Sequence, residues 1–276
     1  MINFNGRCLS GFENLKEPLS LIQQFRDSFS IYIPFQEGEL LLWESFYFHL
    51  MAQLRQRRFS IPDEYTPDFF KSQANQLLQA QRGDYPTLQI CCFRSTPAST
   101  DAIYGEASFY LQFHSTFLIP QNPPVLEVDL YKDQFAVANV DTRGGTTPEP
   151  ISSIAQIFAY ENGWDAALLL NADMHLALSS RGSLYLGYPE GNFRTPEVES
   201  GGLKHPLTRA WEDWLATQNI SCEASLLAPF ELQQAKNVSL WDPKYGFAIV
   251  QKYRKTNYES SELEAIYQNF RKSVLG

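Results

Sequence analysis

Few of the 276 residues fall into a pattern that chemistry requires. Arg143 stands beside Gly144-Gly145, where a guanidinium and open backbone amides could together hold a carboxylate or phosphate. The preferred reading there is a solvated loop arginine. Thr208 opens an amphipathic stretch, and its hydroxyl either donates to an anion or caps a helix. The four cysteines (Cys8, Cys91, Cys92, Cys222) are too few and too irregularly spaced for a disulfide framework or a zinc site. Cys91 and Cys92 lie in a strand-like run, where neighbours point to opposite faces and cannot share one metal. The standard Gly-rich phosphate loops, HExxH and GxSxG are all missing from the sequence.

Bulk properties exclude several classes. A formal net charge of −9 argues against a nucleic-acid partner, which needs a basic face for the phosphates. The basic run 55–58 decorates the solvent face of a helix. No apolar run reaches the roughly 20 residues needed to cross a bilayer. The first 18 residues lack a basic start followed by an apolar core, so a cytoplasmic location is expected. Asn219-Ile-Ser and Asn237-Val-Ser match the glycosylation pattern, but by chance in such a chain.

The elements that must position any site read as two α+β domains. Runs 29–35 and 38–43 predict a hairpin, and the apolar spacing of Phe46, Leu50 and Leu54 predicts a helix over 44–58. Thr66-Pro67 opens a second helix to about residue 81. Strands follow at 87–93 and 107–113 around a Ser/Thr/Pro/Asp loop. The N-terminal domain is placed at 1–117, a Pro-rich connector at 118–124, and the C-terminal domain at 125–276. Two strands flanking Lys132 come next, then a helix over 151–163 closed by Asn162-Gly163. Strands are expected at 165–171, 175–178 and 183–187. Helix 207–218 has the stripe Leu207, Trp211, Trp214 and Leu215, which reads as core packing, and a final helix closes the chain.

In order, Gly163-Trp-Asp-Ala-Ala-Leu-Leu-Leu-Asn171, Thr195-Pro196, Gly202-Leu203, Thr208-Arg209, Glu231-Leu232-Gln-Gln-Ala235 and the strand-turn 238–250 resemble class IV aminotransferases and aminodeoxychorismate lyases. The opening MINFNG and helix 43–62 are similar to that family too, so the likeness spans nearly the whole chain. It implies the two-domain α+β architecture of fold type IV pyridoxal-phosphate enzymes, and a homodimer. Such enzymes need a lysine for the aldimine, a carboxylate against the pyridine nitrogen, and an arginine with a helix N-terminus for the phosphate.

Measured from Gly163, the family's lysine falls at Gly144 or Gly145, and a gap would move it to Ala155. No lysine lies between Lys132 and Lys204. The carboxylate position is Leu178. On the N-terminal helix the family's histidine position is Phe46 and its phosphate-arginine position is His49. The phosphate-cup turn around Leu207 and Thr208 remains. Lys132 and Lys204 are the nearest substitute amines, with Lys204 beside the cup. Three readings follow. The chain is a non-catalytic relative without cofactor, its cleft open to a small anion held by such groups as His49, Arg143 or Lys204. Or it is an active pyridoxal-phosphate aminotransferase or lyase whose lysine lies elsewhere. Or it is an enzyme without that cofactor, which would need a fresh cluster of ionisable groups, and none is visible.

Overall fold

The computed structural model describes residues 1–11, 28–81, 83, 85–94, 106–147 and 149–276. The chain divides into a unit over Met1–Phe117 and a second over Leu118–Gly276. The loop read between the strands near 93 and 107 lies largely outside the described residues.

The first unit is a sheet with two helices. Strands β1 (Ile2–Phe4), β2 (Arg7–Leu9), β3 (Ser28–Gln36), β4 (Glu39–Leu40), β5 (Thr87–Arg94) and β6 (Ala107–His114) pair in the order β2-β1-β6-β5-β3-β4. β3 and β4 form the expected hairpin, but the second strand is cut to two residues. Leu42 adopts a left-handed conformation, and Trp43 already begins α1 (Trp43–Gln56). An apolar run such as Leu-Leu-Leu-Trp does not by itself tell strand from helix. α2 (Pro67–Ala80) starts as its cap chemistry predicts, with the Thr66 hydroxyl accepting from the Phe69 amide at 3.2 Å. Asn3 holds that helix to the sheet by donating to Gln73 Oε1 at 2.9 Å. Cys91 and Cys92 are both buried in β5, and burial pushes both thiols up.

The second unit is built on one long sheet of order β12-β11-β10-β13-β14-β7-β8-β9. Its strands are β7 (Val125–Ala136), β8 (Ala166–Asn171), β9 (Leu176–Ser179), β10 (Ser183–Gly187), β11 (Phe193–Pro196), β12 (Cys222–Ser225), β13 (Asn237–Asp242) and β14 (Gly246–Tyr253), with β15 (Thr256–Asn257) beside β14. β7 corrects the expectation of two strands around a turn at Lys132. It is continuous, with Lys132 exposed within it and a register break against β8 between Tyr131 and Ala136.

β7 and β8 are parallel, so a crossover must join them, and it contains α3 (Val140–Arg143) and α4 (Ile151–Glu161). α4 turns Ala155 and Ala159 onto Tyr131, Leu169 and Leu178, while Leu126, Val128, Leu168 and Leu170 fill a second core. α5 (Pro206–Thr217) and α6 (Ser261–Leu275) meet over a third cluster. There Trp211 lies 5.3 Å from Phe270 edge-on, and Phe247 stacks on Tyr267 at 4.0 Å.

The proline-rich segment 118–124 is held to this second unit. Tyr267 donates to the Pro120 carbonyl at 2.7 Å, and Gln268 to that of Gln121, also at 2.7 Å. Gly246 makes the approach of Leu118 possible, because a Cβ there would stand 2.1 Å from the Leu118 carbonyl oxygen, at φ +79°. Gly246→Ala is therefore expected to cost roughly 3 kcal/mol of stability, from backbone strain and the displaced carbonyl. A urea titration measures this, and a midpoint equal to that of the parent would refute the close approach.

Candidate functional site

The site begins at the loop after β7. Asn139 caps the single turn α3, its side-chain oxygen accepting from Asp141 N at 2.8 Å and Thr142 N at 3.0 Å, while Thr142 Oγ1 accepts from Asn139 N at 2.9 Å. Arg143 ends this turn with its side chain exposed. The chain then reverses through Gly144 and a left-handed Gly145, so that Thr146 N reaches the Asp141 carbonyl at 2.9 Å.

At Gly145 two turns meet. A Cβ at this position would lie 2.4 Å from the Lys204 carbonyl oxygen and 3.0 Å from His205 Cβ. The segment entering α5 thus occupies the volume in which a side chain at 145 would begin. α5 starts with Pro206 at its first position, where no amide is needed. Thr208 is fully buried, and its hydroxyl accepts from His205 N at 2.9 Å and donates to His205 O at 2.8 Å. In the folded chain this hydroxyl bonds the backbone at the helix entry. Leu207 is likewise fully buried.

Leu178 and Ala155 come together in the apolar cluster between β9 and α4, both completely buried, with Ala177 beside them. Lys204 is ion-paired with Glu212, whose other oxygen accepts from Tyr185 at 2.8 Å. Nearby, burial and Glu212 push the Cys222 thiol up to about 12, against the pull of Lys204. Gly145, Lys204 and the Leu207-Thr208 turn are therefore one locality. His49 and Phe46 are buried on α1 in the first unit. Among the described residues no His, Cys, Asp and Glu cluster fit for a metal is present, and no helix is long and apolar enough to cross a membrane.

A second locality was invisible in the sequence. A cavity of about 520 Å³ lies among the start of α4, the β9–β10 turn and the β13–β14 turn, lined by Ser152, Arg181, Asp242, Lys244 and Tyr245 among others. Asp242 is buried and shapes its own turn, accepting from Lys244 N at 2.7 Å and Tyr245 N at 3.1 Å. Arg181 Nε stands 3.7 Å from its second oxygen. These groups come from segments roughly 30 to 90 residues apart, so no spacing could reveal them; the Asp-Pro-Lys-Tyr-Gly turn was the only local signal.

A long mixed sheet with a parallel βαβ unit, preceded by a smaller antiparallel unit, is the fold of the type IV pyridoxal-phosphate enzymes. The family model "Amino-transferase class IV" matches residues 29–241, and the chain belongs to that family. Among solved structures, it is similar to a branched-chain aminotransferase from Thermoproteus uzoniensis crystallised with norvaline, at TM-score 0.82 and 16% identity, covering 100% of this chain and 94% of that one. A branched-chain amino acid aminotransferase from Thermobaculum terrenum in its PLP form gives 0.81 and 16%, covering 99% and 93%. A putative 4-amino-4-deoxychorismate lyase from Legionella pneumophila gives 0.74 and 15%, covering 89% and 91%. No curated protein matches by sequence.

Burial pushes the Asp242 carboxyl up to about 6 from an ordinary 3.8, against the opposing pull of the Lys244 and Tyr245 amides and of Arg181. Between those values the folded chain keeps a proton that the unfolded chain has released, so stability falls as pH rises from about 4 to 6. The full effect is roughly 3 kcal/mol. Asp242→Asn keeps the acceptor for both amides and is expected to flatten this part of the profile, leaving the variant at least as stable at pH 7. Urea midpoints measured across that range test it, and a parent profile that rises with pH would contradict the assignment.

Proposed function

We propose that this chain is a non-catalytic member of the class IV aminotransferase and aminodeoxychorismate lyase family, one that has kept the scaffold and given up the aldimine chemistry. The observation that carries this reading is at Gly144-Gly145, where the family's spacing puts the Schiff-base lysine at one residue or the other, and it concerns Gly145. A side chain there would run into the Lys204 carbonyl oxygen at 2.4 Å. Pyridoxal phosphate, when bound, supplies an electron sink for the substrate carbanion, and the protein must supply an amine and a pyridinium partner. Neither residue set at the carried-over positions fits that need.

Other features support the same reading. Leu178, at the carboxylate position, is fully buried among apolar groups. Leucine offers a pyridine nitrogen no counter-charge. Ala155, the position reached by a gap, faces the same apolar cluster. Lys132 is exposed on β7, and Lys204 is held by Glu212. His49 replaces the phosphate arginine with a group that lacks the bidentate fork. Of the phosphate cup there remain the backbone amides of Leu207 and Thr208, which suit a small anion at the start of a helix. Arg143, exposed on its turn, has no side-chain hydrogen bond or ion pair among the described residues. The family homodimer is retained in this reading, and light scattering of the purified chain reads it directly.

The deciding measurement is absorption spectroscopy with added pyridoxal phosphate, before and after borohydride. The expected spectrum is that of free cofactor, with no label on any peptide after reduction. A yellow band fixed by borohydride to one lysine peptide would overturn the proposal and identify an active enzyme.

A further inference from the structure

We propose that the exposed apolar surface around the end of β7 is the face through which two copies of this chain pair. It gives a surface to the homodimer of the reading above and rests on that part of it alone.

Phe135, Val137, Val140, Met174, Leu226 and Phe230 are 39% to 65% exposed. Three adjoining segments of the second unit supply them. At the end of β7, Ala136 pairs with Asn171 and is fully buried, so Phe135 and Val137 on either side of it are left outside. The Asn171 carbonyl accepts from Met174 N at 3.0 Å, within the β8–β9 turn. Leu176 N then donates to the Leu227 carbonyl at 2.7 Å, which lays 226–230 beside that turn. Leu227 fills the core, and Leu226 is turned out.

The size of this surface points to a second copy. Six large side chains, each near half exposed, present on the order of 500 Å² of apolar area, in the upper part of the range for the largest patch on a monomer. One side of a standard interface buries about 800 Å², roughly 60% of it non-polar, which is again about 500 Å². The other run of exposed apolar residues on this unit, Ile154, Ile157 and Tyr160 on α4, has half as many side chains and falls short of that area.

Charge points the same way. The chain carries −9, so two copies repel unless their contact is locally balanced. Both signs are present around the apolar residues. Lys132 and Arg143 flank the run 135–140, while Asp133 and Asp173 stand close to Phe135 and Met174 in sequence, and all four are exposed. A two-fold axis sets each part of a face against a different part of its copy, so a face with both signs complements itself.

Sedimentation velocity of the full chain at micromolar concentration tests this. The parent is expected to be a dimer. Val137→Asp combined with Met174→Asp buries a charge in the contact and should give a monomer with an unchanged circular dichroism spectrum. Phe230→Asp, on a separate segment, should raise the dimer dissociation constant at least tenfold. Ile157→Asp, on α4, should leave the dimer intact. A dimer that survives both the double variant and Phe230→Asp, or one that Ile157→Asp dissociates instead, would overturn the assignment of this surface while the homodimer stands. A monomeric parent would overturn both. The aldimine spectrum is independent of either result.

Discussion

Two turns of the second unit touch backbone to backbone, and much of that unit follows from this contact. Gly145 reverses the chain after α3 and sets its α-carbon against the Lys204 carbonyl. The following residues start α4, and Pro206 starts α5 two residues after Lys204. The contact therefore ties the entry of one helix to the entry of the other. α5 carries Trp211, which is fully buried among Trp241, Phe247 and Phe270. A displacement of Lys204 would be carried along a rigid helix into that aromatic cluster, where close packing leaves little slack.

The buried polar groups fall into two kinds, and the difference is informative. Glu231 is almost completely satisfied: it accepts from Arg194 at 2.5 Å, Tyr188 at 2.7 Å and the Ala228 amide at 2.9 Å. It joins β11 to the 3-10 turn at 229–233, a structural role that needs no ligand. Asp242 has its two amides but only a distant guanidinium, and burial raises its carboxyl against their pull. The Ser152 hydroxyl, on the buried face of α4 with Ala155 and Ala159, has no partner among the described residues. An unbonded buried hydroxyl of this kind costs about 1–3 kcal/mol.

Much of the fold was legible because its signals are local. Thr66-Pro67, Pro206 and Asn162-Gly163 mark helix ends through cap chemistry that acts within a few residues, and all three stand where expected. β7 was misread because Lys132-Asp133-Gln134 is polar enough to imitate a turn. Its pairing with β14 on one side and β8 on the other keeps it extended through the polar stretch. The family likeness singled out Gly144 or Gly145, Leu178 and Thr208 as expected site positions, but not what surrounds them. Spacing shows which residue stands at a position, while the Lys204 carbonyl against Gly145 is a contact across nearly sixty residues, roughly, and needs the folded chain. The cavity at Arg181, Asp242 and Lys244 escaped for the same reason.

In pyridoxal-phosphate enzymes the cofactor does the electronic work and asks the protein for few groups. Each of those groups is also a burden on the scaffold. A carboxylate at position 178 would have to be buried beside Tyr131, Ala155 and Leu169, where a charge without a partner is costly. Leucine there instead contributes roughly 2 kcal/mol of apolar burial. Glycine at 145 likewise permits an approach that a longer residue forbids. Once selection for the aldimine is relaxed, stability alone favours such replacements. A family match over residues 29–241 is a match of the scaffold, and the proposed loss of the aldimine centre is compatible with it.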